Sequence, residues 1–147
     1  MSRIGAIMSR KVLTTSEDAS LSSLREVFSA AKFQHLPVVD SSGRLQGIIS
    51  VKDYFRALSP VMDSAFETSV ENYIRSRKVR HVMTSPVFTV SDKTSIKEAA
   101  NLLLQYNIGC LPVVDAEQRL LGIVSWKDVL RFALQPKAAG QQPDRVK

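Results

Sequence analysis

The sequence predicts an α+β fold made of two copies of one unit, each with the order strand, helix, strand, strand, helix. The main observation is a repeat: residues 35–58 read HLPVVDSSGRLQGIISVKDYFRAL, and residues 110–133 read CLPVVDAEQRLLGIVSWKDVLRFA, at an offset of 75 residues. The second observation is that apolar residues in each copy change from helical spacing to the short runs typical of strands. Two copies normally pack against each other, so a site at their seam should exist in two related versions.

The first strand of each copy is predicted at 12–15 (VLTT) and 87–90 (VFTV), where residues favouring β structure cluster. Ser- and Asp-bearing segments follow and are typical of helix starts. The helices behind them should bury one face, because their apolar residues recur at helical spacing. These residues are Leu21, Leu24, Val27, Phe28 and Ala31 in the first copy, and Ile96, Ala99, Leu103 and Tyr106 in the second.

The second half of each copy reads as a hairpin followed by a helix. The LPVV runs at 36–39 and 111–114 are short and apolar, as expected of buried strands. Turns then lead into strands Leu45–Ser50 and Leu120–Ser125, and these into helices Ser50–Leu58 and Ser125–Leu134. The predicted boundaries are 4–58 for the first repeat, 59–78 for a connecting segment with a helix over Asp63–Ile74, 79–134 for the second repeat and 135–147 for a flexible tail.

Composition limits the class of protein. No apolar run approaches the roughly 20 residues that span a membrane, and the N-terminus lacks the apolar core of a secretory signal. A single cysteine excludes an internal disulfide framework, so we expect a cytoplasmic protein. The net charge of +6 favours anionic partners, although the only dense basic cluster, at 75–80, is more typical of a solvated linker.

Three motifs recur in order in both copies: M-[ST]-x-x-V-x-T, L-P-V-V-D and G-I-[IV]-S-x-K-D. Together they resemble the cystathionine β-synthase (CBS) domain, and two in tandem resemble a CBS pair, or Bateman module. The resemblance covers residues 4–134. It implies two β-α-β-β-α units packed about a pseudo-twofold axis, with sheets facing each other and helices outside. It also implies two clefts that accept adenosine-containing molecules, a regulatory role, and pairing of modules into a homodimer.

In the family, the motif G-h-h-[ST]-x-x-[DN], in which h is hydrophobic, supplies the ribose contact. The resemblance therefore assigns that contact to Ser50 and Asp53 in one copy and to Ser125 and Asp128 in the other. A carboxylate can accept two hydrogen bonds from a vicinal diol, and a helix N-terminus can hold a phosphate. The same residues also fit a capping box, with Asp in place of Glu or Gln. The two interpretations are compatible.

By analogy with the family, each cleft is built crosswise from both repeats. The Asp128 cleft would have a purine wall from Phe33, Gln34 and Pro37 with Ile4, Ile7 and Ser9 near its base; the Asp53 cleft would use Ile108, Gly109, Cys110 and Pro112 with Val79, Val82 and Thr84. The phosphate candidates are His35, Lys52 and Lys127. Because His35 is replaced by Cys110 in the second copy, we expect the Asp128 cleft with its His35 wall to bind a phosphorylated ligand better. The absence of an obvious set of arginines there favours AMP, ADP or an adenosine derivative over ATP.

No catalytic motif and no metal-ligand spacing are present, since His35, His81 and Cys110 lie far apart in the sequence. We therefore expect no enzymatic activity and no cofactor beyond a regulatory ligand such as AMP, ADP, ATP or S-adenosylmethionine. The preferred hypothesis is a stand-alone regulatory module that signals to an unknown effector protein. The alternatives are a structural or protein-interaction module with empty clefts and, less favoured, a nucleic-acid binder.

Overall fold

A computed structural model describes residues 2–30, 33–61 and 67–136, apart from the side chains of residues 67–68. It contains four strands: β1 (His35–Val39), β2 (Leu45–Ser50), β3 (Cys110–Val114) and β4 (Leu120–Ser125). Its five α-helices are α1 (Arg25–Ser29), α2 (Val51–Leu58), α3 (Glu67–Ser76), α4 (Ile96–Gln105) and α5 (Trp126–Ala133). Short 3-10 turns lie at Ile4–Ala6, Leu21–Leu24 and Val79–His81. No helix in the described ranges is both long and apolar enough to cross a bilayer.

The two hairpins confirm the predicted α+β fold and its internal repeat. Strand β1 pairs antiparallel with β2, and β3 with β4, in registers that correspond residue by residue between the copies. His35 lies opposite Ser50 in the first hairpin, as Cys110 lies opposite Ser125 in the second. Both registers shift near the end of the first strand, at Val38/Val39 and Val113/Val114. The sequence repeat is therefore also a repeat of backbone geometry.

The prediction of a first strand in each copy, at 12–15 and 87–90, is wrong. The segment 12–15 makes a single parallel bridge, between Thr15 and Val38, and 87–90 makes the equivalent bridge between Val90 and Val113. The Thr15 N–H donates to the Pro37 carbonyl, and the Val39 N–H donates to the Thr15 carbonyl. The β-branched residues favour an extended backbone, but propensity gives no ladder when only one residue reaches the neighbouring strand.

The helices that follow differ between the copies. In the second copy, Ser95 caps α4 by accepting a hydrogen bond from the Glu98 N–H, and α4 buries the predicted Ile96, Ala99 and Leu103. Tyr106, predicted on the same buried face, lies beyond the helix and is exposed, stacked on Phe88 with ring centroids 4.1 Å apart. In the first copy a 3-10 turn replaces the start of the helix, leaving a shorter α1. In this copy Leu21, Leu24 and Phe28 are nevertheless buried as predicted, Val27 is half-buried, and Ala31 lies outside the described residues.

Each repeat completes the hydrophobic core of the other. The core around Leu36 and Ile49 includes Val79 from the start of the second repeat. The core around Leu111 and Val124 includes Ile4 and Met8 from the start of the first. Exchanged segments of this kind bury apolar area in both directions, so neither half has a complete core alone. The exchange fixes the two hairpins against each other and creates the seam between them.

The seam also carries a direct backbone pairing between the two hairpin turns. Arg44 forms an antiparallel bridge with Arg119, its own equivalent in the second copy. The Leu45 N–H donates to the Gln118 carbonyl, and the Leu120 N–H donates to the Gly43 carbonyl. A residue that pairs with its own counterpart must lie at a local twofold axis. This pairing therefore locates the expected pseudo-twofold axis between the arginines.

The connecting helix is observed as α3, and its apolar side packs on the first repeat. Ile74 is 2% exposed and belongs to the first core, so this helix packs on the module. Residues 62–66, the predicted start of this helix, and most of the predicted flexible tail, 137–147, lie outside the described residues. Helix α3 also contacts α2, so part of the outer face of the first repeat is covered.

Candidate functional site

The Ser-x-x-Asp motif of the first repeat forms a complete capping box at the start of α2. The Asp53 N–H donates to Ser50 Oγ at 3.0 Å, and the Ser50 N–H donates to Asp53 Oδ2 at 3.0 Å. The capping alternative is thereby confirmed for this copy. Asp53 Oδ1 is not used by the box and lies 3.6 Å from Arg56 Nη1. One carboxylate oxygen caps the helix, and the other faces the Arg56 guanidinium group.

The second repeat has the same arrangement at the start of α5, with one additional hydrogen bond inside the capping box. The Ser125 N–H and Oγ–H both donate to Asp128 Oδ2, at 2.9 and 3.1 Å, and the Asp128 N–H donates back to Ser125 Oγ at 3.3 Å. Arg131 Nη1 lies 3.2 Å from Asp128 Oδ1. The Asp53 and Asp128 side chains are 15% and 20% exposed, respectively, so solvent reaches both carboxylates.

The geometry therefore offers a partly exposed, fixed carboxylate at two helix N-termini. Each is a ready acceptor for a pair of hydroxyl groups, because the box has already fixed its position and one oxygen remains outside the box. The arginine one turn further along the helix is 76% exposed for Arg56 and 69% for Arg131. Exposed ion pairs of this kind contribute little to stability, so either arginine can leave its carboxylate at low cost.

His35 brings the two repeats together near one of these carboxylates. A Cβ built on Gly109 would lie 3.1 Å from His35 Cε1 and 3.5 Å from Nε2, so the imidazole occupies the space that a side chain at 109 would need. Burial, the largest effect, lowers the pKa of His35; Asp53 opposes this and Lys52 reinforces it. His35 thus borders Asp53 of its own repeat and Gly109 of the other, two residues predicted for the Asp53 cleft, whereas the prediction placed His35 in the Asp128 cleft.

The Met-[ST] segments explain why glycine precedes each Ser-x-x-Asp motif. A Cβ on Gly122 would lie 2.5 Å from the Ser9 carbonyl oxygen, and one on Gly47 would lie 2.8 Å from the Thr84 carbonyl oxygen. Ser9 bridges to Ile123 in the second hairpin, and Thr84 bridges to Ile48 in the first. Each segment therefore lies beside the hairpin of the other repeat, as the crosswise scheme requires.

The remaining predicted wall residues divide by exposure. Those with buried side chains form the support of the seam: Ile4, Pro37, Val79, Cys110 and Pro112. Those that are half-buried or exposed can reach a bound molecule: Ile7, Ser9, Phe33, Gln34, Val82, Thr84, Ile108 and Gly109. Lys52 and Lys127 are exposed, and Lys127 Nζ lies 5.8 Å from the Trp126 ring centroid. Burial raises the pKa of the Cys110 thiol to about 12, so it remains protonated and unreactive.

Arg56 and Arg131 are candidate site residues that the sequence reasoning missed. The signal was available: both stand three residues after the motif aspartate, and residues three apart on a helix are neighbours. The sequence does not show that Oδ2 of each aspartate belongs to the capping box while Oδ1 stays outside it. Oδ1 faces the arginine, which is therefore the cation nearest the carboxylate, rather than the lysine before the aspartate.

Two open surface grooves lie away from these residues. One of about 740 Å³ is lined by 89–94 and 114–118 together with Glu98 and Leu102, and one of about 510 Å³ by 14–18 and 39–41. Neither contains a predicted site residue. Both are lined by turns whose polar groups are satisfied locally; for example, Asp40 Oδ1 accepts the Ser42 and Arg44 N–H groups. The chemistry favours the capped carboxylates over these grooves.

The basic cluster at 75–80 is offset by internal partners. Arg75 Nη2 lies 3.4 Å from Glu71, and both Lys78 and Arg80 pair with Asp18. The Arg77 guanidinium stands 5.7 Å from the Tyr73 ring centroid. A surface that reads a nucleic-acid backbone needs cations free to neutralise phosphates. These contacts weaken the nucleic-acid alternative.

Comparison with known proteins gives the family. The CBS domain profile matches residues 4–60 and again residues 79–135. A CBS domain-containing protein of Dictyostelium discoideum is 35% identical over 130 residues, which are 88% of this chain and 89% of that protein. Several other curated relatives are enzymes of which this chain covers only about a quarter.

Solved structures of CBS pairs have the same fold. CBSX2 in complex with AMP superimposes with a TM-score of 0.77 at 27% identity, covering 91% of this chain and 97% of that one. The CBS domain pair of protein MJ0100, in complex with 5′-methylthioadenosine and S-adenosyl-L-methionine, gives 0.73 at 27% identity, covering 89% and 98%. The duplicated motifs, the exchanged cores and these matches lead to one conclusion: the chain belongs to the CBS domain family, with two CBS domains in tandem.

Proposed function

We propose that this CBS pair is a regulatory module that binds an adenosine-containing ligand in the clefts between its repeats and signals to an effector protein. The observation that carries the proposal is the pair of fixed, partly exposed carboxylates, Asp53 and Asp128, each at a helix N-terminus beside the seam. The structures of CBSX2 with AMP and of MJ0100 with 5′-methylthioadenosine and S-adenosyl-L-methionine support the ligand class.

The roles of the groups follow from their chemistry. The carboxylate oxygen outside each capping box accepts hydrogen bonds from the ribose diol, displacing Arg56 or Arg131, which then becomes available to a phosphate. The half-buried apolar residues Ile7, Val82 and Ile108 provide a surface for the purine. Burial favours the neutral form of His35, so this residue contributes a hydrogen bond rather than a charge until a phosphate draws a proton to it.

Regulation requires that ligand binding favour one arrangement of the repeats over another. Each cleft takes residues from both repeats, so a ligand that fills it holds the hairpins at one separation. The segments Ile4–Ser9 and 79–84 each pack into the core of the other repeat, so a change in the separation of the hairpins would be transmitted to both cores. The effector would recognise this arrangement. The module itself carries out no reaction and holds no resident cofactor in this proposal, and we place it in the cytoplasm.

Calorimetric titration with AMP, ADP, ATP, S-adenosylmethionine and uncharged adenosine tests ligand binding. Asp53→Asn and Asp128→Asn retain one oxygen for the cap and remove the charge. Each variant should therefore lose ligand binding in one of the two clefts without unfolding. Glu98→Gln is the matched control, because Glu98 stands at the same position in the first turn of Ser-capped α4. Absence of binding by the folded wild-type protein at millimolar concentrations would instead favour an interaction module with empty clefts.

We also propose that the module pairs with a second copy through α5. Trp126, Leu130 and Leu134 fall at i, i+4 and i+8 and are 51%, 49% and 75% exposed, and α5 contains no buried residue. In the first repeat, α3 contacts the equivalent helix α2 but does not cover the equivalent stripe, since Phe55, which corresponds to Leu130, is also 49% exposed. An exposed apolar stripe of this size is typical of an interaction surface.

A further inference from the structure

We infer that Arg44 and Arg119 form a binding site for a small phosphate-bearing anion on the pseudo-twofold axis, separate from the adenosine clefts. The two residues form an antiparallel bridge between the hairpin turns of the two repeats. The site would belong to both repeats equally, since each supplies one arginine at the same position.

The hydrogen-bond pattern places both side chains on one face. The flanking residues exchange the two hydrogen bonds: Leu45 N–H to the Gln118 carbonyl at 2.9 Å and Leu120 N–H to the Gly43 carbonyl at 3.0 Å. This is the arrangement of a non-hydrogen-bonded antiparallel pair, in which the two side chains project to the same side with Cβ atoms about 5 Å apart. Both arginines are exposed. Their guanidinium groups can therefore converge on one molecule.

Like charges directly opposite each other in an antiparallel pair are destabilising. In the described part of the chain, no carboxylate lies within ion-pair distance of either guanidinium. The pKa of Asp40 is lowered chiefly by its hydrogen bond with the Ser42 side chain and least by the charge of Arg44, and its Oδ1 accepts the Ser42 and Arg44 N–H groups within the turn. The basic residues at 75–80, by contrast, have internal partners. Two arginines without an ion-pair partner in the described residues thus lie opposite each other at the axis.

A phosphate-bearing anion matches this arrangement. Guanidinium groups bind phosphate oxygens through paired hydrogen bonds, and two of them related by a twofold axis suit an anion with several equivalent oxygens. Binding would replace repulsion by attraction between the two turns, which are otherwise joined here by two backbone hydrogen bonds. The anion would therefore strengthen the contact between repeats.

Thermal unfolding with inorganic pyrophosphate, at ionic strength held constant with sodium chloride, tests the inference. The melting temperature of the wild-type protein should rise and saturate, and Arg44→Gln or Arg119→Gln should raise the half-saturating concentration at least tenfold. Arg75→Gln is the matched control: it removes the same charge from an exposed arginine and should respond as wild type does. Because the arginines are exposed in turns, the variants should fold, and without pyrophosphate at low salt they should melt no lower than wild type.

Two results would overturn the site. One is an equal half-saturating concentration in wild type and both variants; the other is a wild-type melting temperature that does not rise when pyrophosphate replaces sodium chloride at constant ionic strength. The combined Asp53→Asn and Asp128→Asn protein separates this site from the clefts, since it should lose adenosine binding and keep its response to pyrophosphate. Loss of both responses in that protein would place the anion in the clefts instead.

Discussion

Met8 of the first repeat lies against Gly122 of the second, so closely that a Cβ on Gly122 would stand 3.0 Å from Met8 Sδ. The same relationship joins Met83 to Gly47, where the corresponding distance is 2.8 Å. Each methionine belongs to the segment that a repeat contributes to the other repeat's hairpin. The close approach of backbone to backbone at these two glycines holds the halves in register and places Ser125 and Ser50 three residues beyond it.

Gly122→Ala should destabilise the protein by about 1–3 kcal/mol, because the added methyl group overlaps the Ser9 carbonyl and must push the exchanged segment away. Gly47→Ala should behave in the same way. Urea denaturation followed by circular dichroism measures the loss. A cost below a few tenths of a kcal/mol at both positions would contradict the close packing seen at the seam.

Gln118→Gly should be neutral to stabilising, by up to about 1 kcal/mol, because Gln118 adopts a left-handed backbone with φ 66°. Its equivalent in the first repeat is Gly43, with φ 85°. The reverse exchange, Gly43→Gln, should cost about 1 kcal/mol for the same reason. The urea denaturation midpoints of the two variants, each compared with that of the wild-type protein, measure these changes in stability. A stabilising Gly43→Gln would contradict the expectation.

Ser125→Ala should cost about 1 kcal/mol by removing the cap from α5, with a similar cost for Ser50→Ala on α2. Ser125→Thr retains the hydroxyl and should recover most of the stability. Thermal and urea unfolding of the three variants provide the measurement. Ser23→Ala, which removes an exposed hydroxyl bonded to a carbonyl in a 3-10 turn, serves as control and should change stability much less.

His35 should make the protein less stable as the pH falls. Its pKa in the folded protein is lowered from 6.5, chiefly by burial, so the unfolded chain binds more protons below that pH. Stability should therefore be full above 6.5 and should decline from there down to the folded pKa. Asp53 and Lys52 are the charged groups that act on the imidazole, and Gly109 faces it without a charge.

The measurement is the free energy of unfolding as a function of pH in wild type and His35→Gln. The variant should show a flatter dependence just below 6.5, and the imidazole resonance of His35 should titrate below that value by NMR. His81→Gln identifies the second imidazole resonance. An identical pH dependence in wild type and His35→Gln would show that His35 is not held neutral by its surroundings.

Pairing through α5 should depend on its exposed apolar stripe. Leu130→Lys places a charge at the centre of that stripe and should shift the sedimentation of the protein from dimer to monomer. Leu13→Lys is the matched control, since Leu13 is comparably exposed, at 42%, but lies on the N-terminal segment. A dimer that survives Leu130→Lys unchanged, or a wild-type monomer, would rule out this interface.

Local sequence signals were sufficient for the hairpins, for the helices after them and for the residues of the capping boxes. Apolar runs of strand length followed by Ser-x-x-Asp encode these elements within a few residues, so no distant contact was needed to recognise them. The same reasoning failed at 12–15 and 87–90, where β-branched residues predicted strands. Whether an extended segment becomes a strand depends on how many partner residues it reaches, and Thr15 and Val90 each reach one.

The sequence by itself determined that there are two equivalent units, which residues form their hairpin strands and which carboxylates cap their final helices, because these features depend on neighbours in the chain. Only the tertiary structure decided that each repeat completes the other's core, that His35 meets Gly109, and that Arg44 faces Arg119. Those contacts join residues far apart in the sequence. They arise from the packing of two separately encoded surfaces, so no local pattern contains them.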